Sequence, residues 1–344
     1  MKAFDIVSHM LPLNPKDGLS MPDRWVWCGS SIRGEDGKYH LFAAAWSKER
    51  PFFSGYVFSS EIIRAVSDTP YGPFTYQETI LPDRGANFWD GRMTHNPTIH
   101  KFRDTYYLFY IGATYAGERP DGETLRSERH PLQDIVYATI RIGLATSKSV
   151  YGPWERRDQP ILDVTPDAWD CLVVTNPAAC FLEDGTILLY YRSNTPGGLR
   201  IGLAKGHVST LTFEKVAGPL WPEHPDWILE DHFVWHNGEN LEMIAKDIEG
   251  SITGIRWGGA HLVSQDGIHW DKAQNPIAYT RTFQYDDGYS ETFYHFERPC
   301  LLIEDGKPVC MYAALGTAGE KTMPHESENF AQMICSKNQT VRFR

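Results

Sequence analysis

Residues 177–191 read PAACFLEDGTILLYY, and residues 202–213 read GLAKGHVSTLTF. The first stretch is an apolar run, an Asp-Gly turn and a second run rich in Leu and Tyr, which is the pattern of a β-hairpin. The second stretch reads as two further strands. The hairpin half returns at residues 32–42 (IRGEDGKYHLF), 97–110 (PTIHKFRDTYYLFY), 233–245 (FVWHNGENLEMIA) and 299–313 (PCLLIEDGKPVCMYA). The other half returns at residues 64–74 (RAVSDTPYGPF), 143–154 (GLATSKSVYGPW), 261–270 (HLVSQDGIHW) and 333–343 (MICSKNQTVRF). The order of the halves never breaks. Four-stranded units repeated every ~40–70 residues are the signature of a β-propeller. The expectation is therefore an all-β chain, one five-bladed β-propeller over residues 1–344, with blades starting near residues 25, 90, 170, 229 and 295. Residues from Met333 onward should form the outer part of the last blade, and those before Trp25 an extension or the closure of the ring.

Composition sets limits on function. Asp and Glu number 44 against 33 Lys and Arg, a formal charge of −11. That balance argues against a nucleic-acid partner or an anionic membrane surface, both of which call for excess cations. No apolar run reaches the ~18–20 residues that span a bilayer. The start, MKAFDIVSHMLPLNP, is a poor signal peptide, so a cytoplasmic protein or one whose leader has been removed is expected. Cys28, Cys171, Cys180, Cys300, Cys310 and Cys335 show no CxxC spacing and read as free thiols. The longest insertion, residues 114–137, is polar and rich in charge, in the manner of functional loops.

In a propeller the first strand of each blade lines the central channel. Counting back from the hairpin turns aligns the strand starts as CGSSI, HNPTI, TNPAA, EDHFV and ERPCL. These place Cys28, Asn96, Asn176, Glu230 with Asp231, and Glu297 at one channel mouth. Uncompensated charges are rarely buried, so such a ring points to a site. Blades two and three also share a Trp-Asp pair, Trp89-Asp90 and Trp169-Asp170, six residues before the Asn. A Trp can stack on a sugar face while a carboxylate takes its hydroxyls.

The repeats resemble glycoside hydrolase family 43 and its five-bladed relatives, families 32, 62, 117 and 130. The resemblance rests on turns of the form DGKYHLF and strands of the form ATSKSVYGPW, and it covers the chain from about Trp25 onward. It implies a glycosidase acting on a terminal sugar by carboxylate acid–base catalysis. In family 43 an Asp base, an Asp modulator and a Glu acid act together, the Glu in an E-G-P-x-I context. Here the first blade carries Cys28-Gly29-Ser30 in place of Asp-Pro, and ERPCLLIEDG supplies the matching Glu297. By that resemblance Asp90 is the base, Asp231 the modulator and Glu297 the acid, with Glu230 or His95 as alternative acids. A divergent sibling family is implied.

The mechanism requires one carboxyl to stay protonated while another stays ionised. Burial and like charge should raise Glu297, whereas pairing with Arg298 would lower it. The resemblance implies inversion with Asp90 activating water, or phosphorolysis with Arg92, His95 and Arg298 holding phosphate. A non-catalytic carbohydrate-binding propeller is the third reading. Expected sugar contacts are Trp27, Trp89, Arg92, Asn96, Asp170, Asn176, Arg192, Lys246, Asp247 and Arg298. The partner is an oligosaccharide. No cofactor or catalytic metal is expected, and a structural divalent ion in the channel is left open.

Overall fold

The structure is a computed structural model describing residues 3–127, 130–316 and 327–333. The first sheet is β1 (Arg24–Arg33), β2 (Tyr39–Ser47), β3 (Glu61–Ser67) and β4 (Thr75–Leu81), with helix α1 (Phe52–Ser59) inserted after β2. The second is β5 (Met93–Phe102), β6 (Thr105–Ala113), β7 (Arg141–Ser147) and β8 (Glu155–Arg156), with α2 (Gly122–Ser127) and α3 (Gln133–Ala138) after β6. The third is β9 (Thr175–Phe181), β10 (Thr186–Thr195), β11 (Gly198–His207) and β12 (Phe213–Lys215). The fourth is β13 (Leu229–His236), β14 (Leu241–Asp247), β15 (Gly258–Ser264) and β16 (Asp271–Tyr279). A hairpin, β17 (Thr282–Gln284) and β18 (Ser290–Thr292), leads into a sheet with three described strands, β19 (His295–Glu304), β20 (Lys307–Gly316) and β21 (Ser327–Met333).

Each of these sheets is an antiparallel meander with its strands in chain order or its reverse. Their first strands touch in cyclic order, β1 to β5, β5 to β9, β9 to β13, β13 to β19 and β19 back to β1. The fold is an all-β propeller with four complete four-stranded blades and the β19–β21 sheet. The third strand of that last sheet ends at Met333, where the sequence reading had it begin, and residues 334–344 lie outside the described residues. Before β1 the chain is an extension. Leu13 bridges Tyr285, Gly18 donates to the Tyr71 carbonyl, and the Gly18 carbonyl accepts from Phe74.

Cores lie between blades. Phe109, Ile142, Leu144, Leu189 and Tyr191 pack in one such cluster between the second and third sheets. Five cysteines among the described residues are free thiols, and Cys171 alone of them is exposed. No described helix is long and apolar enough to cross a membrane.

The Trp-Asp pairs belong to this packing and not to the channel mouth, which corrects the sequence expectation for them. Trp89 stacks on Tyr110 and lies over Gly143, where an added Cβ would meet its ring at 2.7 Å. Asp90 is fully buried and accepts from the Tyr110 hydroxyl at 2.7 Å. It also pairs with Arg84 at 2.6 Å and with Arg156 on β8 at 2.9 Å. The third blade repeats the device: Trp169 stacks on Tyr191 over Gly202, and Asp170 takes the Tyr191 hydroxyl and the Lys215 ammonium. The clamp ties the loop entering each blade to that blade's second and fourth strands, and it explains the glycine that opens GLATSKS and GLAKGH.

Removing one partner of a buried ion pair strands the others. Asp90→Ala should therefore lower unfolding free energy by about 3–5 kcal/mol. Urea denaturation would check this; a loss below about 1 kcal/mol would refute the clamp.

Candidate functional site

The innermost strands share one local irregularity, and it builds the site. Cys28, Asn96, Asn176, Asp231 and Arg298 all have left-handed backbone, with φ of 51°, 51°, 52°, 54° and 52°. Each coincides with a break in register against the second strand of its blade. An extra residue in a strand turns a side chain that would otherwise alternate. Here it turns these five side chains onto the channel axis.

There they form a belt. The Cys28 thiol lies 2.8 Å from Asn96 Oδ1, Asn96 Nδ2 donates to Asn176 Oδ1 at 2.8 Å, and Asn176 Nδ2 donates to Asp231 Oδ1 at 2.8 Å. The Arg298 backbone N–H donates to Asp231 Oδ2 at 2.9 Å, and its guanidinium crosses the channel to the Pro177 carbonyl at 3.4 Å.

The residue before each belt member faces a cavity of about 280 Å³ above the belt: Trp27, His95, Thr175, Glu230 and Glu297. Its aromatic walls come from Trp27, Trp46, and Phe52, Phe53 and Tyr56 of α1; Tyr137 of α3 closes the far side. Gly55 allows the helix this close, since a Cβ there would lie 2.7 Å from Trp46. The opposite end of the channel is a separate cavity of about 420 Å³ lined by later residues of the same strands, among them Ser31, His100, Trp235 and Leu302.

Glu230, Asp231 and Glu297 converge at the cavity floor, with one carboxylate oxygen of each within 4.8 Å of the others. A cation could bridge that spacing, but two of the three already hold protein cations. Arg192 Nη1 pairs with Glu230 at 2.9 Å, and Lys246 Nζ binds Glu297. His295 lies 3.5 Å from the other Glu297 oxygen. Arg298 is 3.9 Å from Asp231, and its Nε and Nη1 lack a hydrogen-bond partner.

These surroundings push the carboxyls apart. Burial and then the neighbouring Glu230 charge drive Asp231 up to about 7. Burial acts the same way on Glu297, but Lys246 and His295 outweigh it and hold Glu297 down at about 2. The expectation of a raised Glu297 is corrected: its cation is Lys246, not Arg298. Burial and Arg298 hold His95 at about 3, so it is neutral. It stacks on Tyr56, and its Nδ1 lies 2.8 Å from the Ser60 hydroxyl.

Of the residues singled out in the sequence, Trp27, His95, Asn96, Asn176, Arg192, Glu230, Asp231, Glu297 and Arg298 line the cavity, and Lys246 touches Glu297. Asp90, Trp89 and Asp170 sit in the blade clamps. Arg92 pairs with Asp83 at 3.3 Å and reaches the Gly117 carbonyl, away from the cavity. Asp247 accepts backbone N–H groups from Gly250, Ser251, Ile252 and Thr253, so it shapes a loop. Trp46, α1 and His295 were missed. His295 had a signal: two positions before Glu297, it shares that strand face.

No family model matches the chain, and no curated protein matches it. Solved structures do. Zg3597, a family 117 glycoside hydrolase of the marine bacterium Zobellia galactanivorans, superposes with a TM-score of 0.63 at 17% identity, covering 97% of this chain and 88% of that one. A thermostable family-43 glycoside hydrolase gives 0.61 at 12% identity, over 93% and 94%. The GH32 β-fructofuranosidase BmSUC1 of Bombyx mori gives 0.59 at 14% identity, over 94% and 64%. At these identities the likeness is one of fold.

Folded Asp231 holds its proton more tightly than the unfolded chain, where the ordinary value is 3.8. Its contribution to stability is therefore complete below about pH 4 and is lost as pH rises through about 7. Carboxyl ¹³C titration should find Asp231 changing near pH 7, with Glu297 ionised down to about 2. The reverse order would return the proton to Glu297.

Proposed function

We propose that the chain is a five-bladed glycosidase that removes a terminal sugar from an oligosaccharide or polysaccharide. The observation that carries this reading is three carboxyls with divergent surroundings at the floor of an aromatic-walled cavity on the channel mouth. Pairs of titratable groups pushed apart by their environments are the basis of acid–base assignments. The family 117, 43 and 32 neighbours support the glycosidase class.

Glu297, held ionised by Lys246 and His295, is the carboxylate that attacks the anomeric carbon. Asp231, raised to about 7 by burial and the neighbouring Glu230 charge, supplies a proton beside Glu230. Glu230 faces the cavity and passes that proton to the leaving oxygen as the glycosidic bond breaks. Water, deprotonated by Glu230, then releases the sugar from Glu297. The closeness of the acids, one oxygen of each lying within 4.8 Å of the others, supports this two-step course, because retaining pairs stand closer, about 5–5.5 Å, than inverting pairs, about 6.5–9.5 Å. The inverting pair expected from the sequence, Asp90 with Glu297, loses its first member to the blade clamp. Phosphorolysis loses Arg92 from its phosphate cluster, because Arg92 pairs with Asp83 away from the cavity.

Glu230→Gln and Glu297→Gln should each lower kcat/KM by about 10²–10⁴-fold on natural glycosides. Aryl glycosides with good leaving groups need little protonation, so Glu230→Gln should spare the glycosylation of Glu297 by them, and Glu297→Gln should not. Equal losses for both variants on both substrates would refute the division of roles. Absence of turnover by the wild-type chain on a glycoside panel, with and without phosphate, would favour the binding-module reading.

A further inference from the structure

The belt beneath the acids has a property that its distances alone do not express. Every amide in it can be turned through ~180° about its Cβ–Cγ bond without changing the outline it fills, because Asn oxygen and nitrogen are nearly the same in shape. In the arrangement described, all donors point one way. The Cys28 thiol points to Asn96 Oδ1, Asn96 Nδ2 to Asn176 Oδ1, and Asn176 Nδ2 to Asp231 Oδ1. That polarity suits an ionised Asp231. The Asp231 Oδ2 atom is pinned by a fixed donor, the Arg298 backbone N–H at 2.9 Å, so Oδ1 is the atom left to carry a proton.

A proton on Oδ1 would face the Asn176 amide nitrogen, donor against donor. Turning Asn176 and Asn96 over removes the conflict. Asp231 then donates to Asn176, Asn176 to Asn96, and Asn96 to the Cys28 sulfur. The thiol can end such a chain in either polarity, as donor or acceptor. In the second state its hydrogen swings to His95 Nε2, 3.9 Å from the sulfur, which neutral His95 leaves free to accept while Nδ1 engages Ser60. The Thr175 hydroxyl, 3.0 Å from the Asn176 side chain, can likewise donate or accept.

We infer that Cys28, Asn96 and Asn176 form a reversible hydrogen-bond relay that satisfies Asp231 in both protonation states and so sets the pH at which Asp231 releases its proton. The three are positioning residues that act through Asp231. Charged and titratable groups facing Asp231 from the packed strands are Glu230 beside it on β13, Lys246 on β14, Arg192 on β10, Tyr279 on β16, and Glu297 and Arg298 on β19, with Cys28 on β1. Their charges fix the mean proton affinity. The relay decides whether taking up the proton leaves a buried donor unpaired, a penalty that falls more heavily on N–H than on C=O.

The inference rests on the proposed role of the Glu230–Asp231 pair, but its test does not need turnover. Neutron diffraction of the wild-type protein near pD 5 and pD 9 should show Asn176 Nδ2 facing Asn96 at the lower value and Asp231 at the higher. In carboxyl ¹³C titration, Cys28→Ala should lower the Asp231 midpoint by about half to one pH unit, because it removes the acceptor for Asn96 Nδ2. Cys28→Ser, which keeps both donor and acceptor, should restore the midpoint. One Asn176 orientation at both pD values would overturn the relay, as would a Cys28→Ser shift equal to that of Cys28→Ala. Loss of glycosidase activity alone would leave these readouts standing and would count against the mechanism instead.

Discussion

The left-handed residue in each innermost strand is the constraint on which the channel mouth depends. A non-glycine residue in this region typically costs of order 1 kcal/mol or more, with Asn and Asp tolerating it best. Asn96, Asn176 and Asp231 fit that preference; Cys28 and Arg298 do not, and they adopt the same φ. What holds them is mutual. The bulged side chains bond to one another around the channel, and the Arg298 backbone N–H that bonds Asp231 belongs to a bulged residue itself. The belt in turn fixes where the preceding residues point. Glu230 and Asp231 are chain neighbours at the cavity floor, yet Glu230 bonds outward to Arg192 of the third blade and Asp231 bonds into the belt. In the same way Glu297 bonds Lys246 of the fourth blade while Arg298 bonds Asp231 and Pro177.

The blades were legible in the sequence because their signal is local. A turn and the two runs beside it lie within about fifteen residues, and the repeat supplies the rest. The belt was legible in three strands because Cys28, Asn96 and Asn176 each stand eight residues before the Asp of the hairpin turn; in β13 a shorter count left Glu230 and Asp231 side by side. It slipped in β19, where the count arrived at Glu297 and the bulged residue is Arg298. A register irregularity between Leu302 and Ile303 makes the difference. The Trp-Asp pairs were misread for another reason. Asp90 meets Tyr110 twenty residues on and Arg156 sixty-six residues on, and nothing near it announces either partner. A Trp and an Asp side by side fit a sugar site and a blade clamp equally well until the third and fourth participants are known.

The aromatic half of the cavity has a different origin from the acidic half. The floor and the acids come from the ring of innermost strands. Most of the walls come from α1 and α3, which are insertions between strands of the first two blades. The two insertions pack on each other, and α1 packs on β2 and β5. Substrate shape can therefore change through these insertions while the carboxyls stay in place, which is how loops on a rigid scaffold usually carry specificity.

The opposed proton affinities of Asp231 and Glu297 follow from how cations are shared between blades. Arg192 stands opposite Thr175 in the third blade and reaches Glu230 in the fourth. Lys246 stands opposite Glu230 in the fourth blade and reaches Glu297 in the next. Equivalent positions thus send a cation one blade forward, onto the acid that precedes the bulge. Asp231 is the bulged residue itself and is bypassed by this pattern. Its nearest guanidinium is Arg298 at 3.9 Å, a weaker compensation than either cavity acid receives. A carboxyl that is buried, beside another acid and without a direct partner in the cation series is the one whose proton affinity is raised toward neutral pH. Moving the cations by one register position would exchange the roles of Asp231 and Glu297 without altering either acid.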